Sequence, residues 1–240
     1  MKTVFFSMLL LASQLSHAQC DIDPTHLRAE YTLQTHKNDQ TAQKSSLILW
    51  RDGHTVAHQF PQTNITESWY LLKNQQIKPT RFFDQYKRAI EYQPGEKVHG
   101  KSEKDWLYRY QLVSQALLSQ LELSSESGEG CNQEQTFSKD TTQGKIVVKW
   151  LPALNLLSYF SSTVGGQQEI WQLTNKQSDS SQIQAFFAQR NAYQSTDFAD
   201  IGDDHSDPFL AKMINLGFVE HGASGFYNAD GQAIGAEHNH

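Results

Sequence analysis

The chain is short of several things at once, and each shortage closes a class. Cysteine occurs only twice, at Cys20 and Cys131, with no C-x-x-C, so a thioredoxin-type redox motif is absent. Positive charge is in deficit: 20 Lys and Arg stand against 26 Asp and Glu, a net charge of −6. Nucleic acid is thereby excluded as the main partner, because phosphate binding needs a basic face. No apolar run approaches the roughly 20 residues that cross a bilayer, so no transmembrane segment is expected. Catalytic signatures are missing too: there is no H-E-x-x-H, no Walker loop and no G-x-G-x-x-G. Gly222-Ala223-Ser224-Gly225 falls one residue short of G-x-S-x-G, and no strongly predicted strand leads into it. The balance favours a binding protein over an enzyme. With 38% hydrophobic residues the chain is too apolar for disorder and too polar for a multi-span membrane protein.

The first segment reads as an address. Met1 to Ala18 places Lys2 before an apolar core, Val4 to Ala12, and ends on Ser16-His17-Ala18. That is the order of a secretory signal, with small residues at the −3 and −1 positions of the cleavage site. The expected compartment is the periplasm or the extracellular space. Cys20 raises a lipoprotein anchor as an alternative, but His17 and Gln19 depart from the Leu-small-small-Cys pattern. In an oxidising compartment, two cysteines are most simply one disulfide, Cys20 to Cys131.

Alternation marks the strands. Leu27, Ala29, Tyr31 and Leu33 fall on one side of a strand, with Arg28, Glu30 and Thr32 on the other. Asp52-Gly53 between two alternating runs predicts a hairpin. Further strands are expected around 67–72, 81–83, 88–92, 145–150, 154–160 and 169–173. Between them, Trp106, Tyr110, Val113, Leu117 and Leu121 form an apolar stripe on one helix of roughly 18–20 residues, capped by Ser102. Lys104, Arg109, Gln111 and Gln115 fill its polar side. The stretch 124–130 reads as a loop. A second helix is expected over 182–193, with Ile183, Phe186, Phe187 and Arg190 on one side, and a short third one after Pro208.

This order implies an α+β fold: a curved, half-barrel-like antiparallel sheet packed around a central amphipathic helix, with a helical C-terminal appendage. A sandwich with peripheral helices is the alternative. The expected divisions are a signal peptide at 1–18, a sheet-and-helix domain at 19–176, and an appendage with a tail at 177–240. The layout resembles that of the periplasmic lipoprotein-carrier half-barrels, in architecture and without a shared motif. It implies an exported binding protein that holds a hydrophobic ligand or a partner chain on the sheet.

Two other functions stay open. One is an envelope interaction or assembly protein with no ligand. The other is a divalent-metal-handling protein using Asp203, His205, Asp207 and His221, which cluster around the helix start at Pro208. A divalent cation is the only cofactor these residues suggest. The spacing does not match an EF-hand loop, and a solvated acidic cap explains the same residues. Signal cleavage is directly testable. Mass analysis of the exported protein should give a chain that begins at Gln19, and a retained Met1 would refute the export signal.

Overall fold

The computed structural model describes residues 20–37, 41–96, 102–142, 144–201, 206–215, 226–227 and 233–234. The signal segment 1–18 lies outside the described residues. Twelve strands form one curved, open sheet with a few helices against it. Six strands run as a meander from the start: β1 (His26–Lys37), β2 (Gln43–Asp52), β3 (Thr55–Phe60), β4 (Ile65–Leu71), β5 (Ile77–Phe83) and β6 (Arg88–Glu91). A second meander follows: β7 (Glu122–Ser127), β8 (Glu134–Thr141), β9 (Gly144–Leu151), β10 (Leu156–Val164) and β11 (Gln167–Gln177). β11 returns to pair antiparallel with β1 and so joins the two meanders into one sheet. β12 (Gln194–Asp197) adds to the far edge, parallel to β6.

The two sheet faces are covered by different helices. On the first face lie α1 (Trp106–Gln111) and α2 (Gln115–Leu118), which connect the meanders. Here Leu27, Ala29 and Tyr31 of β1 meet Leu47 and Leu49 of β2 and Trp69 of β4 in the main core. On the second face α3 (Ser180–Asn191) sets Ile183, Phe186 and Phe187 against Trp50 and Ala57. Trp50 stacks on Phe186 with ring centroids 3.9 Å apart. A third cluster joins Phe83, Ile90 and Tyr92 to Leu210 and Met213 of α4 (Pro208–Asn215). The stretch expected as a C-terminal appendage thus supplies α3, the edge strand β12 and α4.

The central helix differs from expectation. The stripe residues Trp106, Tyr110, Val113, Leu117 and Leu121 all contribute to the main core or pack against it, but no continuous helix carries them. Asp105, not Ser102, caps α1, accepting from the Tyr108 N–H at 2.9 Å. Leu112 then enters the left-handed region at φ 64°, which ends α1. Ser114 restarts the chain as the N-cap of α2. Two capping events inside one apolar stripe turn a long helix into two short ones. Arg109 and Gln111, expected on the polar side, are buried. The stretch 124–130, expected as a loop, begins inside β7. Every residue of that strand is exposed, so no alternation marked it.

The disulfide joins Cys20 to Cys131 across 111 positions. It ties the start of the described chain to the 3-10 turn Gly130–Asn132. That turn packs on another, Pro152–Leu154.

Arg51 of β2 is fully buried, and among the described residues no carboxylate pairs with it. Its guanidinium donates instead to four backbone carbonyls: Tyr110 at 2.6 and 2.9 Å, Leu154 at 2.8 Å, Asn155 at 2.6 Å and Pro24 at 3.0 Å. Its plane lies 3.9 Å from the Tyr110 ring. Burial lowers its pKa to about 10, which still leaves it charged at neutral pH. A lysine retains the charge but not the planar fork, and so cannot reach all four acceptors. Each buried acceptor left unsatisfied costs about 1–3 kcal/mol. Arg51→Lys should therefore lower the unfolding free energy by at least ~2 kcal/mol in urea titration. A change below ~0.5 kcal/mol would show that the cage is dispensable.

Candidate functional site

Strand register builds an apolar row on the first face. Leu123, Phe137, Val148, Phe160, Trp171 and Leu33 stand directly opposite one another across β7, β8, β9, β10, β11 and β1. Leu33, Trp171 and Val148 are buried, Phe160 and Phe137 are half-buried, and Leu123 on the edge strand is 54% exposed. Cover thus runs out toward the edge. The reason is one of length. At 1.5 Å per residue α1 and α2 are only about 9 and 6 Å long, whereas six strands span ~24 Å. α1 is also committed to β3, where its backbone is held. Leu107, on its outer side, is 47% exposed.

One row further along lie Ile146, Ser162 and Glu169, half-buried on the same face. Trp171 donates its indole N–H to Glu169 at 2.7 Å. Burial pushes the Glu169 carboxyl above the ordinary glutamate range. The surface is therefore mainly apolar, with one carboxyl at its margin.

Under α1 the first face becomes polar. His58, Glu67 and Arg81 are neighbours across β3, β4 and β5. Arg81 and Glu67 form a buried ion pair at 2.7 Å. His58 Nε2 lies 2.7 Å from the Arg109 carbonyl, and a carbonyl only accepts, so this nitrogen carries the proton. Arg109 itself sits over the Trp69 ring at 4.3 Å and pairs with Glu103 at 2.7 Å. Burial, and then the Arg109 charge, lower the His58 pKa to about 3. His58 is thus a satisfied neutral histidine with a structural role.

The second face holds a cleft of about 510 Å³ beside α3. Its floor is three ranks of outward side chains on β3 to β6. Thr55, Tyr70 and Lys78 form the first; Ser68, Thr80 and Glu91 the second; Phe82 and Ala89, with Ser195 of β12, the third. Phe187, Arg190 and Asn191 from the end of α3, followed by Tyr193, wall it. Both cations of the cleft are paired with carboxylates. Lys78 meets Glu91 at 2.6 Å, and this hydrogen bond holds the carboxyl below the usual range. Arg190 pairs with Asp84 at 3.0 Å and also donates to Thr66 and the Phe186 carbonyl. Asp52 is held by His26 at 3.2 Å.

Of the proposed metal ligands, Asp203, His205 and His221 lie outside the described residues. Asp207 is described. It meets Arg88 at 2.6 Å and accepts from the Phe209 N–H at 2.8 Å as the cap of α4. The Arg88 hydrogen bond holds its carboxyl below the usual range. Among the described residues no group of three or more His, Cys, Asp or Glu is placed to hold a metal ion.

No family model matches the chain, and no curated protein matches it. Solved structures give loose similarities. PNGF-II aligns at 10% identity over 79% of this chain and 33% of its own, with a TM-score of 0.38. The chain therefore spans about one third of that protein's length. A putative outer membrane lipoprotein-sorting protein domain from Vibrio parahaemolyticus aligns at 9% identity, over 70% of this chain and 92% of its own, at 0.34. A LolA-superfamily protein from Nitrosomonas europaea aligns at 6%, over 66% and 88%, at 0.27. Superpositions this loose carry no argument about activity, and the two surfaces above stand on their own geometry.

The buried histidine makes stability pH-dependent in a stated direction. Its folded pKa is depressed, so its contribution is fully present above the unfolded value of about 6.5 and is lost as pH falls toward 3. One proton taken up on unfolding corresponds to a slope of about 1.4 kcal/mol per pH unit. His58→Gln keeps a donor toward the Arg109 carbonyl but does not titrate. Denaturant titrations between pH 6.5 and 4 should show a slope shallower by about that amount in the variant. Parallel slopes would mean that His58 protonates freely in the folded state.

Proposed function

We propose that the chain is an exported envelope protein that holds a hydrophobic ligand, such as a lipid acyl chain, on the apolar row of β7 to β11. The observation that carries this reading is the row itself. Its apolar side chains continue beyond the helical cover, from the buried Trp171 to the exposed Leu123. A row that served only the core would end in polar side chains where the cover ends. Here it runs through the half-buried Phe160 and Phe137, which pack against the core, and ends on the exposed Leu123. Apolar surface left open in register across several strands favours a long, flexible apolar guest, which loses water along its whole length.

The disulfide supports the export part of the reading, because such bonds persist in oxidising compartments. No described helix is long and apolar enough to cross a membrane. The signal reading of Met1 to Ala18 belongs to this same proposal. A partner chain laid on the same row would use the same contacts, and it would be told apart by what co-purifies.

A dansyl-labelled fatty acid, titrated into the purified protein, should bind with enhanced fluorescence. Leu123→Glu should weaken that binding about tenfold or more, since one well-placed aliphatic side chain is worth ~1.5–3 kcal/mol. Leu123 is largely exposed, so the variant should retain its melting temperature. Absence of binding to the unaltered protein, or equal affinity in Leu123→Glu, would remove the acyl-chain reading.

A further inference from the structure

The cleft on the second face is separate from the apolar row and has a different chemistry. Several polar groups in it are unspent. The hydroxyls of Thr55, Tyr70 and Thr80 and the amide of Asn191 line the cleft and bond to none of the described residues. The cations, by contrast, are already committed. Lys78 is matched to Glu91 and Arg190 to Asp84, while Asp52 at the margin has a histidine, His26, at 3.2 Å. A site with free hydroxyls and amides, whose described cations are both paired, selects an uncharged ligand rich in hydrogen-bonding groups over an anion. Among the described residues it offers an anion no unpaired cation.

The apolar part of the lining narrows the class further. Phe82, Ala89 and Phe187 give the lining a largely buried non-polar part, with the Phe82 ring edge-on to Tyr193. Tyr70 stands at 45% exposure, its ring presented to solvent. A ligand that matches both parts has polar edges and non-polar faces. Sugar rings have that form: hydroxyls radiate around the rim while C–H groups cover the faces. The volume of about 510 Å³ lies inside the range of roughly 300–1,000 Å³ that small-molecule sites occupy.

We infer that the cleft between α3 and the outward side of β3 to β6 binds a neutral saccharide. Tyr70 stacks on one ring, while Thr55, Thr80 and Asn191 bond its hydroxyls. The floor is rigid, because four paired strands carry it, and the end of α3 is pinned by the Arg190–Asp84 pair. Binding at a preformed site of this kind needs little reordering, which suits a weakly held, strongly hydrated ligand.

The test uses the full exported chain and two neutral trisaccharides, chitotriose and cellotriose, titrated separately by ligand-observed NMR and calorimetry. At least one should bind with a Kd of about 1 mM or tighter. Tyr70→Ala should weaken it about tenfold, and Thr80→Val should weaken it severalfold, with both variants retaining the wild-type melting temperature. Leu123→Glu should leave saccharide binding unchanged, which separates this inference from the acyl-chain reading of the other face. The inference falls if neither sugar binds at about 10 mM. It falls equally if Tyr70→Ala and Thr80→Val bind as the unaltered protein does. Displacement of the sugar by millimolar phosphate would also overturn it, by showing that charge governs the cleft.

Discussion

A guanidinium buried without a counter-ion is the constraint on which the rest of this molecule depends. Arg51 sits at the end of β2, where its side chain points into the main core. A charge there is tolerable only if every donor finds an acceptor. The acceptors come from three separate segments: Pro24 before β1, Tyr110 in the last turn of α1, and Leu154 with Asn155 between β9 and β10. The last turn of a helix presents unpaired carbonyls and carries partial negative charge, so Tyr110 is a favourable partner. One side chain thereby sets where the helix ends and how the second meander meets the first. The disulfide acts on the same neighbourhood, since the Cys131 turn packs on the turn that presents Leu154. Covalent and hydrogen-bonded ties converge there.

Placing α1 has consequences for both ends of the sheet. Held over β3, it gives the buried His58 its partner, the Arg109 carbonyl, and lays Arg109 over the Trp69 ring. It cannot also extend over β7 and β8. The apolar row on that side is therefore left partly open by the same contacts that close the other side. The break at Leu112 belongs to this arrangement. A continuous helix would carry Val113 and Leu117 onward along a single axis. The left-handed residue lets the chain turn and restart at Ser114, so that both side chains still reach the core.

Much of the sheet is readable from alternation. The β1 pattern, the Asp52-Gly53 hairpin and the cluster of Ile183, Phe186, Phe187 and Arg190 on α3 all follow from residue type and spacing. The Cys20–Cys131 bridge follows from count and expected compartment. What escapes such reading has physical causes. Arg51 precedes Asp-Gly, so it looks like part of a turn, and only long-range carbonyls make its burial possible. Glu67 and Arg81 each break an apolar pattern, but their mutual pairing appears only once β4 and β5 are in register. β7 has no buried side, so it carries no periodic signal. β12 is four residues long and parallel, and it forms because α3 delivers it to β6. The cleft escapes for the same reason, because its lining comes from seven elements and depends on their register.

The strands β3 to β6 carry both a buried polar network and the floor of the second-face cleft, on opposite sides. Neighbouring residues divide the work: Glu67 points to the ion pair with Arg81, and Ser68 points to the cleft. Shifting these strands by one residue would exchange the two sets, turning Thr80 and Ser68 to the first face and Glu67 and Arg81 to the cleft. The polar pairs on the first face therefore fix the register on which the second face depends. They need not add net stability to do so, since a buried pair often only balances its desolvation. Their effect is to make every slipped register costly, because it would leave a charge unmatched. β7 to β11 carry a different polar tie, in which Glu134 of β8 meets Lys149 of β9 at 3.0 Å and accepts from Ser158 of β10 at 2.7 Å. Each half of the sheet thus has its own polar register lock, and a guest laid across the apolar row would add contacts at its exposed end, on the edge strand β7.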